Sequence, residues 1–167
     1  MKKKMFIAFM IIIPILLLSG CKKTASDSED MMKIAREEIP IADAETIDMQ
    51  IIGTIDKDEN RLVCFMTGNE YQAQTFFPIE FKRISRGKYE FVKVHKMLGR
   101  GMDIHVEPFW KDGYVFIVNN DKCKSIQITL TDGELQLVEV GKLPFLFYFE
   151  EIPKEYDFLD ADDNPLN

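Results

Sequence analysis

The chain has 167 residues, with 28 acidic and 21 basic side chains and a net charge of −7. This length fits a single domain that builds its own hydrophobic core. The acidic balance, and the lack of a basic stripe with interleaved aromatic residues, exclude nucleic acid as a partner.

The first twenty residues have the layout of an export signal. Lys2–Lys4 form a positively charged start, and residues 5–18 are an uncharged, mostly apolar run. A membrane-spanning helix needs about 20 apolar residues, whereas the core of a signal peptide has about 7–15. The run is therefore short for a permanent span, and we predict that residues 1–20 are a signal peptide.

The signal ends in Leu18-Ser19-Gly20-Cys21. This sequence resembles the lipobox of bacterial lipoproteins at all four positions. The resemblance implies cleavage after Gly20 and lipidation of Cys21, with acyl chains (such as palmitate) that hold the protein on the extracytoplasmic face of the cell membrane. Two or three chains anchor a protein firmly, while one gives marginal binding. The length of the run disfavours an uncleaved anchor helix, and the full match to the motif disfavours an incidental cysteine.

Cleavage would leave 147 residues with 18 basic and 28 acidic side chains, a net charge of −10. Residues 21–30 contain no aromatic or large aliphatic residue, so we predict a flexible tether there. Residues 31–167 then form one extracytoplasmic domain. A short helix opens it, with Asp27 or Ser28 as N-cap and Pro40 as the stop.

Beyond Pro40 the apolar residues alternate with a period of two, as in strands. Turn sequences recur at 57–60, 85–88, 112–113 and 132–133. The alternation changes phase at Val92, which predicts a β-bulge. Farther along, Ile104, Val106 and Trp110 are predicted on one strand face, with His105 and Glu107 on the other.

These patterns predict a mainly β fold: a short N-terminal helix followed by eight or nine short strands. Connections this short require antiparallel neighbours, because a parallel crossover needs a dozen residues or more. We therefore expect an antiparallel meander that forms either a barrel or a sandwich. The pattern does not distinguish these two forms.

Two cysteines remain once Cys21 is assigned to lipid. Cys64 lies in an apolar strand and Cys123 in a polar segment, and they form one candidate disulfide in an exported protein. The alternative is that Cys64 is simply a small buried hydrophobic residue.

No metal, cofactor or catalytic motif is predicted. His95 and His105 are the only histidines, and zinc sites need three or four converging ligands. The acidic stretch 160–164 lacks the glycine and the terminal glutamate of a calcium loop. If the chain were an enzyme, His95, His105, Glu107 and Asp103 would be its first candidate residues.

The sequence thus favours an anchored module that acts by binding rather than by catalysis. A protein, a cell-wall component or a small apolar ligand could be the partner. Two alternatives stay open: an inhibitor or immunity-type lipoprotein, and a cell-envelope hydrolase whose site has no recognisable motif.

Overall fold

A computed structural model describes residues 22–69, 73–98 and 103–166. The predicted signal peptide and the lipidation site Cys21 lie outside these residues. The described part has one helix, α1 (Ser28–Glu38), and is mainly β, as predicted. It has eleven strands: β1 (Thr24–Ala25), β2 (Met49–Lys57), β3 (Asn60–Thr67), β4 (Thr75–Ser85), β5 (Lys88–Val94), β6 (Ile104–Phe109), β7 (Gly113–Val118), β8 (Ser125–Thr129), β9 (Leu135–Glu139), β10 (Phe145–Phe149) and β11 (Glu155–Leu159).

Helix α1 begins and ends where the sequence predicts. The Asp27 side chain accepts a hydrogen bond from the Asp30 backbone N–H and caps the first turn. Ile39 is extended, with ψ 136°, because the following Pro40 disfavours helical geometry. The described part of the chain has no helix with the length and hydrophobicity that crossing a bilayer requires.

The prediction of a flexible tether is wrong from Thr24 onward. β1 pairs with β5 through Thr24 and Ala25, and Ala25 is fully buried. An alanine is small enough to be enclosed between a helix and a sheet, so a polar composition did not prevent order. β1 thus begins three residues after Cys21 in the sequence.

Sheet A contains the predicted meander. Its strand order is β1-β5-β4-β3-β2, with all neighbours antiparallel. The predicted bulge is confirmed, because Glu80 pairs with Lys93 and Phe81 with Phe91, which leaves Val92 as the extra residue. The tight turns carry residues with positive φ, Asp58 after β2 and Gly87 after β4.

The chain beyond β5 is not a simple meander. Sheet B has the order β10-β7-β6 and sheet C the order β11-β8-β9, again all antiparallel. β10 returns to pair with β7, and β11 returns to pair with β8, so the two sheets are interleaved along the sequence. The described residues contain eleven strands instead of the predicted eight or nine.

The three open sheets stack on one another as a sandwich, with α1 on the far side of sheet A. Val63 and Phe65 of β3 face α1, whereas Leu62 and Cys64 face sheet B. Across sheet B, alternate residues of β7 face the two neighbouring layers: Val115 and Ile117 contact sheet A, and Phe116 and Val118 contact sheet C. Sheet B is therefore the central layer and is covered on both faces.

Candidate functional site

The two histidines occupy different surroundings in the interface between sheets A and B. The His95 ring lies 4.4 Å from the Phe109 ring, and the buried His105 ring lies 5.4 Å from that of Phe76. His105 and Glu107 share the face of β6 that points to sheet A, as predicted, because their strand partners Ile117 and Val115 lie in that core. Within residues 22–69, 73–98 and 103–166, no three His, Cys, Asp or Glu side chains are placed to hold a metal ion.

Glu80 of β4 is a nearly buried carboxylate, 8% exposed, at one end of this interface. Its Oε1 accepts a hydrogen bond from Trp110 Nε1 at 3.2 Å, and its Oε2 accepts one from His95 Nε2 at 2.9 Å. Lys93 Nζ adds an ion pair at 3.8 Å. Burying a carboxylate is unfavourable unless donors replace its water, and these three groups supply that replacement. No pattern in the sequence predicts this cluster, which we call the Glu80 cluster.

The prediction for Trp110 is wrong, and the backbone explains why. A regular strand would place Trp110 on the face of Ile104 and Val106, which points to sheet C. Trp110 instead has φ 52°, in the left-handed region that only about a few per cent of non-glycine residues adopt. This turn directs the indole to sheet A, where it meets Glu80 and lies 5.2 Å from the Tyr148 ring.

Lys57, at the end of β2, also links sheet A to sheet B. Its Nζ lies 2.5 Å from Asp112 Oδ1 and 3.1 Å from Tyr148 Oη. The ammonium also lies 5.5 Å from the centre of the Tyr148 ring and 6.0 Å from that of Trp110. The hydrogen bond that Lys57 donates to Asp112 raises the pKa of Lys57 above its ordinary value, so this lysine stays charged.

The Glu80 cluster has the carboxylate and histidine of an acid–base pair, but both groups hold other contacts. Burial lowers the pKa of His95, against the opposing effect of its hydrogen bond to Glu80. The carboxylate also holds Trp110, and the imidazole contacts the Phe109 ring. This arrangement fastens β4 to the β6–β7 turn, and that is the role its geometry supports.

Cys64 and Cys123 are free thiols, which corrects the candidate disulfide. Cys64 lies in the core between sheets A and B, whereas Cys123 lies in the core between sheets B and C. The central sheet separates them. Burial raises the pKa of both thiols, so neither has the thiolate character of a nucleophile.

Two clefts in the described part of the chain are open and partly polar. One of about 490 Å³ lies at the start of β2, and its polar groups bind each other: Asn69 Nδ2 donates to Asp48 Oδ2 at 2.7 Å. Another of about 420 Å³ lies between the 40–47 segment and the end of β3. Neither is the enclosed apolar cavity that carriage of a small apolar ligand requires.

Sheet C presents a different kind of surface to solvent. Leu135 and Leu137 of β9 are 61% and 62% exposed on its outer face, and Glu139 follows on the same side. β9 is an edge strand. We call the outer face and free edge of these three residues the β9 surface.

The β9 surface lies in the most acidic part of the chain. Residues 125–166 contain ten acidic and two basic side chains, a net charge of −8, whereas residues 22–124 contain 18 acidic and 16 basic ones. Glu155 and Asp157 of β11 share the outer face with Leu135 and Leu137, as the strand register shows. None of the strands β8, β9 and β11 contains lysine or arginine.

The fold defines the chain as a mainly β protein built from stacked antiparallel sheets. No family model, no curated protein and no solved structure matches it.

Proposed function

We propose that this chain is a lipid-anchored, extracytoplasmic binding module that holds a protein partner at the membrane through the β9 surface. The observation that carries the proposal is a pair of exposed leucines on an edge strand within a stretch, residues 125–166, of net charge −8. Apolar side chains surrounded by charge are typical of protein-interaction surfaces.

The negative charge of residues 125–166 favours some of the partners that the sequence left open over others. An anionic wall polymer would be repelled, and a basic protein would be attracted. An inhibitor or immunity-type lipoprotein is the case in which that basic protein is an enzyme. A hydrolase would need a free acid–base pair, and the Glu80 cluster instead holds two sheets together.

The anchor is tested by labelling producing cells with a fatty-acid probe. The wild type is expected to carry the label and to sediment with membranes, because acyl chains on Cys21 insert into the bilayer. Cys21→Ser is expected to lose both. A labelled Cys21→Ser variant, or an unlabelled wild type, would contradict the anchor.

The binding surface is tested separately, by placing a photocrosslinking amino acid at Leu137. Val92 of β5 is a matched control, since it is also an exposed strand residue, 45% exposed, but lies in sheet A. A discrete adduct from position 137 that is missing from position 92 is expected. Equal adducts from both positions, or none from position 137, would refute the proposed surface.

A further inference from the structure

The hydrogen-bond phase of the β8–β9 hairpin determines which backbone groups of β9 are free. Val140 N–H donates to the Lys124 carbonyl and Leu130 N–H to the Glu134 carbonyl, both at 2.8 Å. Hydrogen-bonded pairs alternate along an antiparallel ladder, so Gln136 and Val138 are the residues of β9 that bond to β8. The N–H and C=O groups of Leu135, Leu137 and Glu139 therefore point to the open edge.

The same three residues thus have exposed side chains on the outer face and free backbone groups at the open edge. In the described part of the chain no strand pairs with this edge. Proteins usually protect such edges with proline, lysine or a bulge. Two other edge strands here follow that rule, because β6 contains Pro108 and β2 has a bulge between Ile51 and Gly53. β9 has none of these protections, and its register with β8 is regular.

We propose that the partner adds an extended segment to the free edge of β9 as a fourth strand of sheet C. This inference rests on the proposed function and specifies its binding mode. Main-chain hydrogen bonds to Leu135, Leu137 and Glu139 would hold the segment, and side chains on its outer face would lie beside the two leucines. The segment is apolar at its centre and carries lysine or arginine at its ends.

Charge selects this occupant over a second copy of the chain. Two copies joined edge to edge would bring together two acidic stretches (residues 125–166), each of net charge −8, with Glu139 near the junction in each. Like charges at an interface oppose association. A basic segment instead gains attraction from Glu139, Glu155 and Asp157, which lie on the same outer face.

The test uses a short synthetic peptide with alternating valine and threonine at its centre and lysines at both ends. Binding to the Cys21→Ser chain is measured by fluorescence anisotropy, at low and at high salt. Leu137→Pro removes the outward N–H without breaking the β8–β9 ladder, and Leu137→Ala is its matched control, because it shortens the side chain and keeps the N–H. We expect Leu137→Pro to bind about tenfold more weakly than Leu137→Ala, the effect of about one lost main-chain hydrogen bond.

A second arm leaves the protein unchanged, so that folding of the proline variant is not at issue. Two versions of the peptide are N-methylated at alternate central residues. One set of N–H groups would face β9 and the other solvent, so only one methylated version is expected to lose binding. A peptide with glutamates in place of lysines is expected to bind at least tenfold more weakly.

Several results would overturn the strand-addition proposal. The first is that the lysine peptide does not bind, and the second is that the glutamate peptide binds as tightly as the lysine peptide. The third is that both methylated peptides bind equally and that the Leu137→Pro and Leu137→Ala variants also have equal affinities. A concentration-dependent dimer that Leu137→Pro abolishes would show that a second copy occupies the edge. Each of these leaves the crosslinking test of the binding module unaffected.

Discussion

At the scale of single residues, Glu80 joins side chains that are far apart along the chain. Glu80 is one acidic residue in an otherwise apolar part of β4, and only the fold brings Trp110 and His95 to it. The separation along the chain is 30 residues for Trp110 and 15 for His95. A pattern of neighbouring residues contains no information on such long-range pairs.

His95 makes the stability of the fold depend on pH. Burial lowers its pKa in the folded state, so the unfolded chain binds more protons as the pH falls through the ordinary histidine value of about 6.5. The free energy of unfolding is therefore expected to decrease between pH 7.5 and pH 5.5. Urea unfolding at the two pH values, followed by circular dichroism, measures the change.

His95→Gln is the control for this dependence, because the amide does not titrate and can still donate to Glu80. Glu80 accepts a hydrogen bond from His95, and the charge of Lys93 contributes to the lowered pKa of His95. The lowered pKa values of Glu37 and Asp56 affect stability only at more acidic pH, near the ordinary carboxyl values of about 4. An unchanged pH dependence in His95→Gln would contradict this role for His95.

At the scale of elements, prediction from local sequence succeeded for the helix, the turns and the bulge. The helix stops before Pro40, the turns fall at the predicted residues, and the phase change at Val92 is the bulge of β5. β1 was missed because two residues carry no periodicity, and its order comes from pairing with β5. Trp110 was misplaced because a single left-handed residue reverses the side-chain direction.

The close approach of β7 and β10 at Gly113 gives a test at this scale. A Cβ at position 113 would overlap the Tyr148 side chain, so Gly113→Ala must displace the tyrosine that contacts Lys57. We expect a loss of about 1–3 kcal/mol in unfolding free energy, as overpacking typically causes. Chemical denaturation measures it.

Gly141→Ala is the matched control, because its added Cβ would lie 3.8 Å from the Phe145 ring, an ordinary contact. Its cost should stay within about 0.5 kcal/mol. In the Gly113→Ala background, Tyr148→Ala should cost less than it does alone, since the clash is then relieved. Additive costs would refute the steric explanation.

At the scale of the whole molecule, the stacking of three sheets explains why the two cysteines are not paired. Cys64 and Cys123 lie in separate cores on opposite sides of sheet B. The Cys21→Ser chain is therefore expected to resist alkylation by iodoacetamide in buffer and to take up two groups in urea without any reductant. Mass spectrometry measures the uptake. A chain that gains these groups only after reduction would show that the two cysteines are paired.

The sequence by itself determined the mainly β class, the single helix, the antiparallel neighbours and the acidic surface, because each depends on periodicity, turn residues or composition. Only the tertiary structure decided that three sheets stack, that β10 and β11 return to earlier strands, and that β9 remains an open edge. These features depend on contacts between distant segments, and the hydrophobic effect that drives those contacts is non-directional.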